Sequence, residues 1–203
     1  MPQHAAPRFG SIPFAVVFGA LAWTAAIPGA SHAQDAWLDE AEPAGWNEAG
    51  KPVPDAPARV EHVDPRCPEL ARPPELEQDS QVVDTGWELV GAYQGGWDTL
   101  VIRGTANYGG MCRPWQYQAF VFVDGVFAGT LSPETMDSRT DGAIADVWIQ
   151  DAERITAQYM RYTDEDPLCC PSRTTTVEFV IAQTDEGPVV RPTSMYTTPT
   201  SNR

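Results

Sequence analysis

A strand-turn-strand pattern in the middle of the chain limits the fold more than any other feature. Every residue from Ala119 to Val123 is apolar, Asp124 and Gly125 follow, and a second β-forming run covers residues 126–131. Asp-Gly between such runs favours a type I′ hairpin turn, because both turn residues need a positive φ, which glycine adopts without strain. Since both faces of the first strand are apolar, we expect it to lie centrally and to be covered on both sides.

Further β-forming runs surround this hairpin, at residues 87–90, 99–102, 146–149, 155–162 and 175–181. In the last run Val177, Phe179 and Ile181 share one face and Glu178 lies on the other, which is the alternation of a half-buried strand. Short strands joined by Gly, Pro, Asp and Asn turns predict an all-β fold, a small antiparallel sandwich or half-barrel. The alternative is an α+β roll with one helix near residues 74–82.

The first 33 residues have the composition of a cleavable signal peptide. They contain one cationic side chain, Arg8, no Asp or Glu, and an apolar stretch from Phe14 to Ile27 that is too short to cross a bilayer. Ser31 and Ala33 supply small residues at the third-last and last positions, which predicts cleavage between Ala33 and Gln34. We therefore expect the protein to be exported to the periplasm or outside the cell.

Three further segments follow the predicted signal peptide. Residues 34–81 are acidic and rich in proline and show no sustained apolar period, so we expect an extended, largely disordered arm that becomes ordered near Cys67, where a disulfide would hold it. Residues 82–192 are predicted to form one globular β domain, and residues 193–203 a flexible tail.

Charge restricts the partners. Without residues 1–33 the chain carries 12 cationic side chains against 28 carboxylates, a net charge of −16. Such a surface repels phosphates and anionic lipid headgroups, so we expect no nucleic-acid partner. Because the apolar run is short and no cysteine follows the cleavage motif, we also expect no stable membrane anchor after cleavage. A protein or glycan of the cell envelope remains as the expected partner.

The mature chain lacks the residues that common catalytic and metal sites require. The single histidine of the mature chain, His62, and the single lysine, Lys51, both fall in the arm, away from any serine of the β domain. Residues 137–142 begin like a calcium loop, but Arg139 occupies a ligand position and Trp148 stands where a bidentate Glu is needed. We expect Arg139 to pair with Asp137 or Asp141, and we predict no catalytic residues, no metal and no cofactor.

The four cysteines Cys67, Cys112, Cys169 and Cys170 are expected to form two disulfides, because an even number outside the cytosol indicates oxidation. Adjacent side chains in extended backbone point to opposite sides. We therefore expect Cys169 and Cys170 to bond separately to Cys67 and Cys112. A bond between Cys169 and Cys170, together with a Cys67–Cys112 link, is the alternative.

Arginine and aromatic residues are concentrated in two stretches, and these residue types are enriched at the centres of interfaces. They predict an interaction surface, although aromatic residues in strands commonly pack in the core. The candidate residues are Arg113, Trp115, Tyr117, Arg139, Tyr159 and Arg161.

Four motifs resemble the LppP/LprE-type lipoprotein family over about residues 112–183. They are CRPWQY at 112–117, VDGV with GTLSP at 123–133, MDSRTDG at 136–142 and DPLCCPS at 166–172. The resemblance implies an extracytoplasmic envelope domain with no established enzymatic activity. The lipid-bearing cysteine of that family is absent here, since the first cysteine is Cys67.

The expected function is therefore that of an exported, non-enzymatic binding or structural component of the envelope. The alternative is a small extracytoplasmic hydrolase that works through paired carboxylates, because 28 acidic residues offer many pairs.

The predicted cleavage can be checked on the exported protein. Intact-mass analysis should give a chain that begins at Gln34 and carries no lipid. A mass that retains residues 1–33, or a lipid adduct, would contradict the assignment of a cleaved signal peptide.

Overall fold

The computed structural model describes Met1 and residues 37–40, 43–60 and 66–200. The cleavage site predicted at Ala33 and Gln34 lies outside these residues. Short 3-10 helices occupy Trp37–Asp39, Cys67–Leu70 and Gly110–Cys112, and one α-helix, α1, spans Glu77–Asp84. The strands are β1 (Glu88–Leu89), β2 (Gln94–Gly96), β3 (Thr99–Tyr108), β4 (Pro114–Val123), β5 (Val126–Thr130), β6 (Ala143–Asp151), β7 (Arg154–Arg161), β8 (Arg173–Thr184) and β9 (Gly187–Pro199).

Two antiparallel sheets form the body of the domain. The first has the strand order β1-β3-β4-β5, with β2 also paired to β3, and the second has the order β6-β7-β8-β9. Their facing side chains make one core, in which Val121 and Phe179 are almost fully buried. The structure confirms the predicted all-β sandwich. The helix that the α+β alternative required is present as α1, but it packs on a sandwich.

Strand β4 is covered on both faces, as its apolar composition predicts. Val121 faces the second sheet, whereas Phe120 and Phe122 face away from it and are fully buried. This outer face is covered by Val53 and by Val82 of α1. The domain therefore has two cores that share one strand.

Glycine at position 104 of β3 makes part of the outer core possible. A Cβ there would lie 3.1 Å from both Phe120 and Trp87, whose ring centroids are 5.1 Å apart. Trp87 is also held from outside, because its ring N–H donates to the Pro54 carbonyl at 2.8 Å. The absence of a side chain lets an aromatic pair close over the strand.

The prediction of a largely disordered arm is wrong for residues 37–40 and 43–60. Trp46 donates its ring N–H to the Thr130 carbonyl at 3.1 Å, and Leu38 and Val53 are buried in the two cores. The side chain of Asn47 exchanges hydrogen bonds with Thr130 of β5 and donates to the carbonyl of Val190 of β9 at 3.0 Å. The segment is ordered because the sandwich supplies the apolar contacts that its own sequence lacks.

The predicted flexible tail is wrong as well for residues 193–199, because these belong to β9, which pairs with β8 from Gly187 to Pro199. Val189 and Val190 of this strand are fully buried. Its prolines are compatible with a strand at the edge of a sheet, where one row of backbone groups has no partner strand.

The hairpin turn is present with the predicted geometry, since φ is 50° at Asp124 and 80° at Gly125.

Replacing Gly125 by Val forces a β-branched side chain into the left-handed region and should lower the free energy of unfolding by about 1–3 kcal/mol. Gly125→Asn is the matched control, because Asn tolerates this region, and it should cost less. Denaturant unfolding measures both. Equal stability of the Val variant and the wild type would contradict the argument.

Candidate functional site

A small pocket of about 200 Å³ lies where the start of β6 approaches β3 and β4. Its apolar wall is formed by Val90, Pro114, Ala143 and Ile144, and its polar side chains are Arg103, Tyr117 and Ser138. A mainly apolar cavity with a few convergent polar groups is the usual form of a small-molecule site. This pocket is therefore the candidate site.

Arg103 brings a positive charge to this pocket. It follows Val101 and Ile102 on β3, so alternation along the strand directs it to the same side as Val101, toward the second sheet. Its Nε is buried without a hydrogen-bond partner, and its Nη2 makes only a long contact, 3.5 Å, to the Ala92 carbonyl. Among the ion pairs of residues 37–40, 43–60 and 66–200, none includes Arg103.

The surroundings of Arg103 are tight and partly dehydrated. Burial lowers the pKa of Arg103, whereas the nearby Asp146 and Tyr117 raise it. Gly91, with φ of +66°, passes so close that a Cβ there would lie 2.7 Å from the Arg103 Nη2. The guanidinium is thus held against the backbone at one edge of the pocket.

Ser138 and Tyr117 complete the polar lining. Ser138 is 7% exposed, and its hydroxyl is buried without a hydrogen-bond partner. The Tyr117 hydroxyl donates to the Gly142 carbonyl and accepts from the Ile144 N–H at 3.1 Å. Burial raises the pKa of Tyr117, so this hydroxyl stays neutral and serves to join β4 to β6.

The polar side chains of this lining are hydrogen-bond donors. Arg103 and Ser138 supply donors, but the lining includes neither a carboxylate, a histidine nor a lysine that could take a proton from the serine hydroxyl. Lys51 pairs with Glu48 at 3.0 Å, and His62 lies outside the described residues. The described part of the chain also has no group of three or more His, Cys, Asp or Glu side chains arranged to hold a metal.

Three of the six residues predicted for an interaction surface are buried. Tyr117 lines the pocket, and the Tyr159 hydroxyl donates to the Leu131 carbonyl at 2.7 Å in the core. Arg161 is 5% exposed and binds both carboxylate oxygens of Asp39 at 2.7 and 2.6 Å, which lowers the pKa of Asp39. The prediction is wrong for these residues, because their polar atoms join elements inside the fold.

Arg113 and Arg139 meet at the ring of Tyr162, with guanidinium carbons 5.9 and 4.1 Å from the ring centroid. Each also donates to the loop that follows Tyr162, Arg113 to the Leu168 carbonyl at 2.6 Å and Arg139 to the Asp166 carbonyl at 3.3 Å. The sixth residue, Trp115, is half-buried in β4 opposite Asn107. Use of these three residues as a binding surface stays a prediction.

The expected pairing of the Arg139 side chain with Asp137 or Asp141 is wrong. Asp137 accepts the backbone N–H of Arg139 at 2.8 Å, and Asp141 accepts the backbone N–H of Asp137 at 2.7 Å. The two carboxylates are occupied by the turn itself, which leaves the guanidinium for Tyr162.

The disulfides join Cys67 to Cys112 and Cys169 to Cys170. The expected separate links from Cys169 and Cys170 are therefore wrong, and the alternative is the observed one. The reason is the local backbone. Residues 163–172 form a loop, in which the Cys170 N–H donates to the Pro167 carbonyl at 3.1 Å. This backbone is a turn and not an extended strand, so the two adjacent side chains need not point to opposite sides.

Sequence reasoning missed Arg103, the residue that gives the pocket its charge. A signal for it exists, because a cationic residue stands at a core-facing position of an otherwise apolar strand run. To recognise it, one must know which side of β3 faces the second sheet, and residues 99–102 alone do not show this.

The fold and the pocket define a small, disulfide-bonded β-sandwich domain with a mainly apolar cavity that Arg103 lines. Residues 97–184 match the model of the LppP/LprE lipoprotein family, which confirms the resemblance over that segment and indicates an envelope or extracytoplasmic location. No curated protein and no solved structure matches the chain. None of the helices in the described residues is both long and apolar enough to span a membrane.

The hydrogen bonds that hold the loop at residues 163–172 should depend on pH through Asp166. Asp166 accepts the backbone N–H groups of Thr163 and Ser172 at 2.7 and 3.0 Å, and these bonds lower its pKa from 3.8 to about 2. Because the folded pKa lies below the unfolded one, the loop's stabilisation is complete above about pH 4 and is lost as the pH falls through about 2. The NMR shifts of both amides should therefore titrate near pH 2.

Asp166→Asn is the control for this titration, since it removes the acid and should leave both amide shifts flat below pH 4. A midpoint near the ordinary aspartate value in the wild-type protein would contradict the bonding of this loop.

Proposed function

We propose that this protein is an exported envelope component that binds a small monocarboxylate, or the terminal carboxylate of a larger molecule, in the Arg103 pocket. The observation that carries the proposal is the pair of buried polar groups without partners, the Arg103 Nε and the Ser138 hydroxyl, on one apolar cavity. Buried polar atoms in folded proteins nearly always have a partner, and a bound ligand would supply it here.

The chemistry of the pocket favours a carboxylate. A guanidinium is planar and its N–H groups match the two oxygens of a carboxylate. The serine hydroxyl can donate one further hydrogen bond, while Pro114 and Ile144 offer contact to an aliphatic or aromatic body. A neutral glycan would bring no charge to the Arg103 guanidinium, and the nearby Asp146 does not line the pocket, so we favour an acid over a glycan.

The volume of the pocket and the net charge of the mature chain restrict the class of ligand further. About 200 Å³ is less than the roughly 300–1,000 Å³ of a typical drug-sized site, so a ligand or end group of a few carbon atoms fits. The net charge of −16 on the mature chain repels polyanions at a distance. A single carboxylate therefore suits the site better than a polyphosphate or an acidic polymer.

We propose binding without catalysis. A hydrolase that uses paired carboxylates needs two acids facing one cleft. The lining of this pocket contains no acid, and Asp146 alone is close enough to raise the pKa of Arg103 among the acidic residues. No observation in the described residues favours the hydrolase, and the proposed activity needs only donors and an apolar wall.

Ligand-observed NMR on the mature protein, with straight-chain monocarboxylates of two to eight carbons, benzoate and short peptides with free or amidated C-termini, tests this function. A carboxylate should bind, and Arg103→Gln should weaken its affinity about tenfold or more, because a charge-assisted hydrogen-bonded pair is lost. Ser138→Ala should weaken it less. If peptides with a free C-terminus bind better than the simple acids, the natural ligand is the terminal carboxylate of a larger molecule.

Arg113→Gln is the matched control, because it removes an arginine that contacts Tyr162 and Leu168 and does not line the pocket. It should leave the affinity unchanged. The proposal fails if no carboxylate binds, or if Arg113→Gln weakens binding as much as Arg103→Gln.

A further inference from the structure

The two disulfides differ in access. Cys67 is fully buried and Cys112 is half-buried, whereas Cys169 and Cys170 are both exposed. Thiol–disulfide exchange requires that an incoming thiolate reach a sulfur atom, so its rate depends on exposure. The exposed bond is therefore the one that an external thiol can attack in the folded protein.

The two disulfides also differ in what they hold. Cys67–Cys112 closes 45 residues and fixes the chain before α1 to the start of β4. Cys169–Cys170 joins neighbours, so breaking it releases no distant part of the chain. The loop around it keeps other ties, since Asp166 binds Thr163 and Ser172, and Arg113 binds the Leu168 carbonyl.

We propose that Cys169–Cys170 is a thiol–disulfide exchange site, whose partner is an extracytoplasmic dithiol protein, and that Cys67–Cys112 is structural. The reduced cysteines remain adjacent in the sequence, so the bond can form again without any rearrangement of the sandwich. The site can thus be reduced and reoxidised repeatedly while the domain stays folded. This role is independent of the Arg103 pocket.

The exchange proceeds in two steps. A thiolate of the partner attacks one sulfur of the Cys169–Cys170 bond, forming a mixed disulfide and releasing the other cysteine as a thiolate, which takes a proton. The second thiol of the partner then attacks the partner's own sulfur in the mixed disulfide and releases the remaining cysteine. This chain gains two electrons and two protons, and the partner's dithiol becomes a disulfide.

The surface beside the exposed disulfide suits contact with such a partner. Leu168, directly before Cys169, is 62% exposed, and the prolines at 167 and 171 flank the pair. An exposed apolar side chain next to the reacting sulfur provides a contact that a small thiol cannot use. A dithiol protein should therefore react faster than a small thiol of equal reducing strength.

Graded reduction of the folded mature protein with dithiothreitol tests the first part of this proposal. After alkylation and peptide mapping, Cys169 and Cys170 should be modified at a reductant concentration roughly tenfold or more below that needed for Cys67 and Cys112. The melting temperature should change little at the first step and fall at the second. Simultaneous reduction of both bonds, or earlier reduction of Cys67–Cys112, would overturn the proposal.

Trapping tests the second part. Thioredoxin whose resolving cysteine is replaced by serine should form a covalent adduct that maps to Cys169 or Cys170. The double variant Cys169→Ser, Cys170→Ser should lose the adduct, and Leu168→Ser should slow its formation without changing the reaction with dithiothreitol. No adduct with the wild type, or an adduct that maps to Cys67 or Cys112, would show that the bond is not an exchange site.

Discussion

The domain depends on a strand that must be covered on both faces. Phe120 and Phe122 point to one side of β4 and Val121 to the other, so a single sheet packed on one side would leave large aromatic groups in water. The second sheet covers one face. The residues before the sandwich and α1 cover the other, which explains why a segment with no apolar period of its own is ordered by contact with the rest of the chain.

Local patterns predicted the parts of the fold that depend on neighbours in the sequence. The hairpin at Asp124 and Gly125 and the alternation around Glu178 appear in the structure because turn chemistry and strand period are short-range properties. The order of the arm depends on the contacts of Asn47 with residues more than 80 positions away. The pairing of Cys169 depends on a loop conformation that has no periodic signal.

The candidate site could be predicted only in part, for the same reason. The sequence predicts Tyr117 as part of an interaction surface, but its hydroxyl is buried and joins two strands. Arg103 and Ser138 come from different parts of the chain, and neither stands in a motif. Their shared lack of a hydrogen-bond partner is a property of the packed sandwich, which no single stretch of sequence contains.

The amide of Asn47 joins the two sheets, because it binds Thr130 of the first and Val190 of the second. The segment matched by the family model, residues 97–184, contains neither Asn47 nor β9. A recombinant fragment cut at those limits would keep β3 to β8 and yet lose this connection, together with Val53 and Val82 over the aromatic face of β4. We therefore expect the smallest portion of this chain that folds alone to be longer than the portion recognisable by similarity.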